Sequence, residues 1–204
     1  MFKTVSKYGL LLAFVALLCT ALSGGIYFLT KDKIDQAVAK QQRELLLQVI
    51  PQTYFDNDLL NSCVKTDNPQ IPKVYLAKKD QEVTAYAFET VAPDGYSGNI
   101  YLLVGLTPQG EVLGVRTIAH KETPGLGDKI ELRISDWILS FNHQQITQEN
   151  LADWAVKKDG GKFDQFAGAT ITPRAVVNQV KRAALLMLQQ KSLPTQSCSD
   201  TAEK

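Results

Sequence analysis

The sequence predicts an α+β fold, with a single N-terminal transmembrane helix followed by one domain of antiparallel strands and packed helices. Three observations predict it. The chain opens with a long uncharged apolar run. Strand-like stretches come in consecutive pairs joined by turn residues, as antiparallel hairpins require. Beyond the anchor and its continuation, strands come first and helical patterning follows, whereas a parallel doubly wound sheet would alternate strand with helix.

The apolar run extends from Tyr8 to Thr30 and is bounded by Lys7 and Lys31. It is long enough to cross a hydrocarbon core of roughly 30 Å as one helix. Membrane helices tolerate Gly9, Gly24 and Gly25, and Tyr8 and Tyr27 suit the interfaces. A cleaved signal peptide is the alternative. Its apolar region would be shorter, and Ala21-Leu22-Ser23 is an imperfect cleavage site. Leu18 before Cys19 does not suit a lipoprotein signal. Basic residues flank both ends: Lys3 and Lys7 before the run, Lys31, Lys33, Lys40 and Arg43 after it. Counted literally, they slightly favour a cytoplasmic carboxyl side, but large C-terminal domains translocate largely regardless of so small a bias.

Beyond the anchor, Ile34, Val38, Leu45, Leu46 and Val49 recur at helical spacing among charged residues, so the helix continues as an amphipathic stalk or packing element. Pro51 ends it, because the residue before proline disfavours helix. The stretch from Pro51 to Pro72 reads as polar and irregular. Val74–Ala77 and Val83–Thr90 flank Lys78-Lys79-Asp80-Gln81-Glu82, a hairpin turn. Asp94-Gly95-Tyr96-Ser97-Gly98 marks a loop. Ile100–Leu106 and Val112–Ile118 are joined through Thr107-Pro108-Gln109-Gly110, a second hairpin. A weak helical pattern covers Asp128–Ser140, and a final helix runs from Pro173 to about Lys191, with Val176, Val177, Val180, Ala184 and Met187 on one apolar face. The organisation read from the chain is therefore residues 1–7 as a cytoplasmic N-terminus, 8–30 as the anchor, 31–50 as the stalk, 51–191 as the folded domain and 192–204 as a tail.

Composition excludes several functions. Lys and Arg number 22 against 21 Asp and Glu, and no basic stripe carries interleaved aromatics, so nucleic-acid binding has no electrostatic support. The only histidines are His120 and His143, and no Cys-x-x-Cys or Cys/His cluster exists. A structural metal site or haem attachment therefore lacks a ligand set. No nucleophile–base pair is evident, so no catalytic residue is assigned. Cys19 lies in the apolar run. Cys63 and Cys198 lie in polar sequence and form a candidate disulfide in an oxidising compartment, with two free thiols as the alternative.

Two segments carry chemistry. In Asp164-Gln165-Phe166-Ala167-Gly168-Ala169-Thr170 a threonine sits on a Gly/Ala turn, and Ile171-Thr172-Pro173 follows at once. Thr172 suits the N-cap and Pro173 the first helical position. First-turn N–H groups lack backbone partners and favour negative charge, so Thr170 is a candidate anchor for a phosphate-bearing group. The plain alternative is a turn residue ahead of a helix. The second segment is His120-Lys121-Glu122-Thr123-Pro124-Gly125-Leu126-Gly127-Asp128-Lys129. Pro124 fixes the backbone, while Gly125 and Gly127 let it approach a ligand closely. Leu126 would offer an apolar side chain to a flat ring. An ordinary Gly/Pro turn is the alternative here.

The first segment resembles Asp-x-x-(Ser/Thr)-Gly-Ala-Thr, the covalent flavinylation signature of FMN-binding domains. Asp164, Gly168, Ala169 and Thr170 match, and Ala167 replaces the usual Ser/Thr. The second is similar to the Glu-Thr-Pro-Gly-Leu-Gly loop of the same domains. With the anchor and the chain size, the resemblance extends over essentially the whole length. It points to the G-subunit family of Rnf-type ion-translocating electron transport complexes, related to the C subunit of the sodium-translocating NADH:quinone oxidoreductase.

That resemblance implies FMN esterified through its phosphate to Thr170 by a flavin transferase that uses FAD. Gly168, Ala169, Asp164 and Thr172 would join Glu122, Thr123, Gly125, Leu126 and Gly127 as cofactor-binding residues. Asp164 would serve attachment, by recognition or by helping to deprotonate Thr170, rather than electron transfer; a turn-capping carboxylate is the plain alternative. The implied role is electron relay with no independent substrate turnover, in a translocase that couples ferredoxin/NAD chemistry to ion translocation. The partners would be the membrane and iron–sulfur subunits of the complex. The location would be the bacterial inner membrane, single-pass, with the bulk of the chain periplasmic. A membrane-anchored scaffold or ligand-binding subunit without covalent flavin, and a domain holding FMN noncovalently, remain open alternatives.

Overall fold

The computed structural model describes residues 2–190, 197 and 198, with side chains from residue 5 onward. The predicted helix end at Lys191 and most of the tail at 192–204 lie outside the described residues. The chain divides into two compact units, Met1–Gln42 and Arg43–Lys204. The described residues of the first, 2–42, are all helical. They belong to α1, Phe2–Val49, which is long and apolar enough to cross a membrane.

The second unit is built on one six-stranded antiparallel sheet. Its strands are β1 (Cys63–Lys65), β2 (Lys73–Lys79), β3 (Glu82–Gly95), β4 (Gly98–Leu106), β5 (Glu111–Ala119) and β6 (Gln144–Gln145). They lie in sequence order, each hydrogen-bonded to the next. Helix α2 (Ile171–Gln189) closes the fold. The α+β architecture is thus as the hairpin and helix patterns predict.

Particular elements differ from the sequence reading. The turn between β2 and β3 contracts to Asp80 and Gln81, both at positive φ, and β3 runs on to Gly95, so the predicted loop at residues 94–98 is a tight hairpin end. Strand β1 lies inside the stretch read as irregular. Asp128–Ser140 is not one helix but two short 3-10 helices, Asp128–Ile130 and Asp136–Phe141. Aromatic packing explains the second: Trp137 meets Phe141 and Phe166 edge to face, and Phe141 stacks on Phe163. Local helical periodicity yields to that cluster.

Each sheet face carries its own core. Helix α2 covers one face through Ala175, Val176, Val177, Val180, Ala183, Ala184 and Met187, together with Trp137, Phe141, Trp154 and Phe163. The other face receives Leu46, Val49 and Ile50, with Phe55 and Leu59, against Tyr75, Ala85, Ala87, Leu103 and Leu113. Only this last part of α1's apolar spacing is core, since Ile34 and Val38 are exposed. Cys63 and Cys198 form a disulfide, Cα to Cα 5.4 Å, and Ser197 bridges to Val64 of β1.

Candidate cofactor site

Three segments far apart in sequence meet at a cavity of about 450 Å³. They are the β3–β4 hairpin end (Tyr96), the loop after β5 (Glu122, Thr123, Leu126, Gly127) and the start of α2 with the turn before it (Gly168 to Thr172). The volume falls within the range of about 300–1,000 Å³ usual for cofactor sites.

The turn before α2 is fixed from below. Phe166 is buried against Trp137, and the Trp137 indole N–H donates to the carbonyl of Asp164 at 2.8 Å. Ala169 N–H returns to Phe166 O at 3.2 Å. Gly168, third in that four-residue turn, takes φ +79°, a conformation that favours glycine. The chain then enters α2 with Thr170 at the N-cap. This corrects the sequence reading, in which Thr172 capped the helix and Pro173 was its first residue. The helix starts two residues earlier, and Pro173 lies in the first turn, where its missing N–H is harmless.

Thr172 has another partner. Its hydroxyl donates to Oε2 of Glu122, so a tertiary carboxylate outcompetes local capping. Thr170 Oγ1, by contrast, makes no capping bond and is half-buried on the cavity wall. The backbone N–H groups of Ile171 and Thr172 also face no carbonyl of a preceding turn. A free hydroxyl thus stands beside donors and the positive end of a helix dipole.

Glu122 is the hub of the cavity floor. It is 5% exposed. Its Oε1 accepts from Ser97 N–H at 2.9 Å, tying the hairpin end to the loop, while Oε2 ties α2 to the same loop. Gly127 packs on this carboxylate: a Cβ there would lie 2.9 Å from both Glu122 Oε2 and Thr172 Oγ1. His120 fixes the loop from behind. Its Nδ1 accepts from Glu122 N–H at 3.0 Å, so Nε2 carries the ring proton and donates to Glu131 Oε1 at 2.6 Å. A hydrogen bond from Arg133 holds the Glu131 carboxyl below the ordinary carboxylate range, against partial burial and with help from His120.

The rim is apolar. Tyr96 is 69% exposed, and Leu126 and Ile171 are each 45% exposed. These side chains are supplied by three different elements, which suits a flat aromatic ligand. Tyr96 and Ile171 were not singled out in the sequence. The pairing of Ser97 with Glu122 runs through a backbone N–H, which leaves no residue signature.

Other residues singled out lie elsewhere. Asp164 is not among the cavity-lining residues. Its carboxylate is solvent-exposed and pairs with Lys157 at 2.5 Å. Gly125 shapes the loop at φ +77° but does not line the cavity. Ala167, at the position of the usual Ser/Thr, is exposed outside it, so that departure leaves the cavity wall intact. Arg174 is held by Asp159 through two bonds of 2.6 and 2.8 Å. Among the described residues, no group of His, Cys, Asp and Glu is arranged to hold a metal ion.

The residues present fit FMN. They supply a free hydroxyl and helix-start donors for the phosphate, an apolar rim for the ring and polar groups at the floor. A family-level match agrees with this fit. The FMN-binding domain family matches residues 95–185, and the RnfG N-terminal region matches residues 1–49. The chain is 68% identical to the G subunit of the ion-translocating oxidoreductase complex of Haemophilus influenzae (strain PittEE), over 94% of each chain. It is 62% identical to the protein of the same name in Pasteurella multocida (strain Pm70), over 92% of this chain and 96% of that one. Among solved structures, it is similar to NqrC of Shewanella oneidensis at 19% identity and a TM-score of 0.46, over 68% of this chain and 73% of that one.

Proposed function

The chain belongs to the G-subunit family of ion-translocating oxidoreductase complexes, and from that premise we propose that it relays electrons through FMN esterified to Thr170. As a member it is one subunit of a translocase and contains an FMN-binding domain. The observation that carries the covalent reading is the Thr170 hydroxyl, which makes no capping bond and lines the cavity at the start of α2. A second observation supports it. Among the described residues no Lys, Arg or His lines the cavity, so a noncovalent FMN phosphate would be held by hydroxyl and backbone donors and a helix dipole, with no cationic side chain.

In the proposed attachment, Thr170 Oγ1 forms a bond to the FMN phosphorus of FAD. The pyrophosphate bond breaks, AMP leaves, and the hydroxyl proton passes to the flavin transferase. Asp164, exposed on the turn, is placed to be read by that enzyme. The N–H groups at the start of α2 stabilise the phosphate charge. Leu126, Tyr96 and Ile171 cover the ring faces and limit water, while Glu122 and Thr123 offer polar contacts. FMN, when bound, supplies one- and two-electron redox chemistry that the protein's own side chains lack.

In this reading α1 anchors the chain in the bacterial inner membrane at residues 8–30, residues 1–7 are cytoplasmic, and the domain at 51–191 is periplasmic. The other subunits of the complex, membrane and iron–sulfur, exchange electrons with it, in ferredoxin/NAD chemistry coupled to ion translocation. The test is co-expression with a flavin transferase, followed by denaturing electrophoresis under ultraviolet light. A fluorescent wild-type band that is absent from Thr170→Ala supports the assignment. A dark wild-type band, with the transferase active on a control protein, refutes it.

A further inference from the structure

Glu122 is a buried carboxylate whose partners explain its geometry but not its charge. Both oxygens accept, from Ser97 N–H and from the Thr172 hydroxyl, and both donors are neutral. His120 reaches only its backbone N–H, through an unprotonated Nδ1. Among the described residues Glu122 has no ion-pair partner, and it is the only charged side chain lining the cavity; the Tyr96 phenol is the other titratable group there. A carboxylate in such surroundings costs free energy unless its charge is used or compensated. Three separate elements are nevertheless arranged to keep it in place. Thr172 lies in the first turn of α2, so the positive end of that dipole faces Glu122, and a phosphate on Thr170 would share the same field.

We propose that Glu122 is a potential-setting residue, whose buried negative charge beside the flavin ring holds the reduction potential of this centre low. The inference rests on FMN occupying the cavity as argued above. Reduction of the ring takes two electrons from a redox partner in the complex and one proton from water, and leaves the ring with one more negative charge than before. A fixed, buried carboxylate lining the same cavity disfavours that added charge through simple Coulomb repulsion. The oxidised ring is neutral and feels no such penalty. The same residue that closes the cavity floor therefore makes the centre a stronger electron donor.

The experiment is a redox titration of the flavinylated full-length protein in detergent, followed by flavin absorbance. Glu122→Gln keeps the shape and the acceptor for Ser97 N–H but removes the charge. Poised at the wild-type midpoint, it should show at least a ten-fold higher ratio of reduced to oxidised flavin, about 30 mV for a two-electron couple. Glu122→Asp keeps the charge and should stay within about three-fold of wild type on the same scale. A Gln variant within that three-fold band, or an Asp variant that moves as far as Gln, overturns the proposal. Ultraviolet fluorescence of the denatured chain is read first. If only the Gln variant is dark, the wild-type potential decides: below that of free FMN in the same buffer supports the proposal, above it overturns it. A dark wild-type chain refutes the flavin reading itself, and the proposal falls with it.

Discussion

Replacing Thr172 with valine tests the cavity floor without touching the acceptor threonine. Valine matches threonine in shape and keeps the β-branch at the start of α2, but loses the hydroxyl that donates to Glu122 Oε2. Both residues are buried, at 1% and 5% exposure, so the bond is largely shielded from bulk solvent. A hydrogen bond to a charged group in such a place contributes about 1.5–3 kcal/mol. A loss of about 2 kcal/mol corresponds to roughly a 30-fold change in the unfolding constant, and for a unit of this size to a fall in Tm of about 4–8 °C. Trp137 and Trp154 are both buried, so their fluorescence follows denaturant unfolding of the domain in the detergent-solubilised chain. The midpoint should fall with no change in slope. In a Glu122→Gln background the bond is between neutral groups, worth about 0.5–1.5 kcal/mol. The double-mutant cycle should therefore return a coupling of about 1 kcal/mol. Thr172→Ser, which keeps the hydroxyl, should recover most of the loss. A cost below about 0.5 kcal/mol for valine, the level of ordinary surface substitutions, or an equal cost in both backgrounds, would falsify the reasoning.

Two further outcomes follow from contacts outside the cavity. The Cys63–Cys198 bridge closes a loop of sequence separation 135; its loss in Cys198→Ser should cost about 2–5 kcal/mol, read as a drop in Tm that added reductant reproduces in the wild type. An identical Tm with and without reductant contradicts it. Glu131 is held below its ordinary range, first by Arg133, so its stabilising effect is complete at neutral pH and is lost as pH falls through the carboxylate range, below about pH 4. Glu131→Gln should then lower stability at pH 7 slightly and flatten the acid limb of the pH–stability profile, and an unchanged acid limb would count against this role.

Much of the fold could be read from local chemistry. Thr107-Pro108-Gln109-Gly110 and the residues around Asp80 are turn formers between alternating strands, and β2 to β5 pair as antiparallel neighbours around them. The apolar spacing of Val176, Val177, Val180, Ala184 and Met187 marks the buried face of α2. What escaped the sequence is what depends on distant partners. β1 is three residues in polar sequence, held by its neighbour and by Ser197. The 3-10 helices around Trp137 follow the aromatic cluster rather than any period. Thr172 reads as a cap because capping preferences are local, yet its partner lies 50 positions away. The two segments singled out for chemistry do meet at one cavity, but its third wall, at Tyr96, looks in sequence like any Gly/Ser hairpin.

The arrangement at the sheet margins bears on how the domain survives outside its complex. Among the described strands of this β1 to β6 meander, the margins are the outer sides of β1 and β6 and the part of β5 that lies beyond its two-residue pairing with β6. β6 is two residues long, too short to template an added strand. β1 is occupied, because Ser197 bridges to Val64 and the adjacent Cys198 is bonded to Cys63. The disulfide thus acts as a guard against edge-to-edge aggregation as well as a crosslink. Breaking it would uncover the β1 margin while also lowering stability, so a reduced domain should clump as well as unfold more readily.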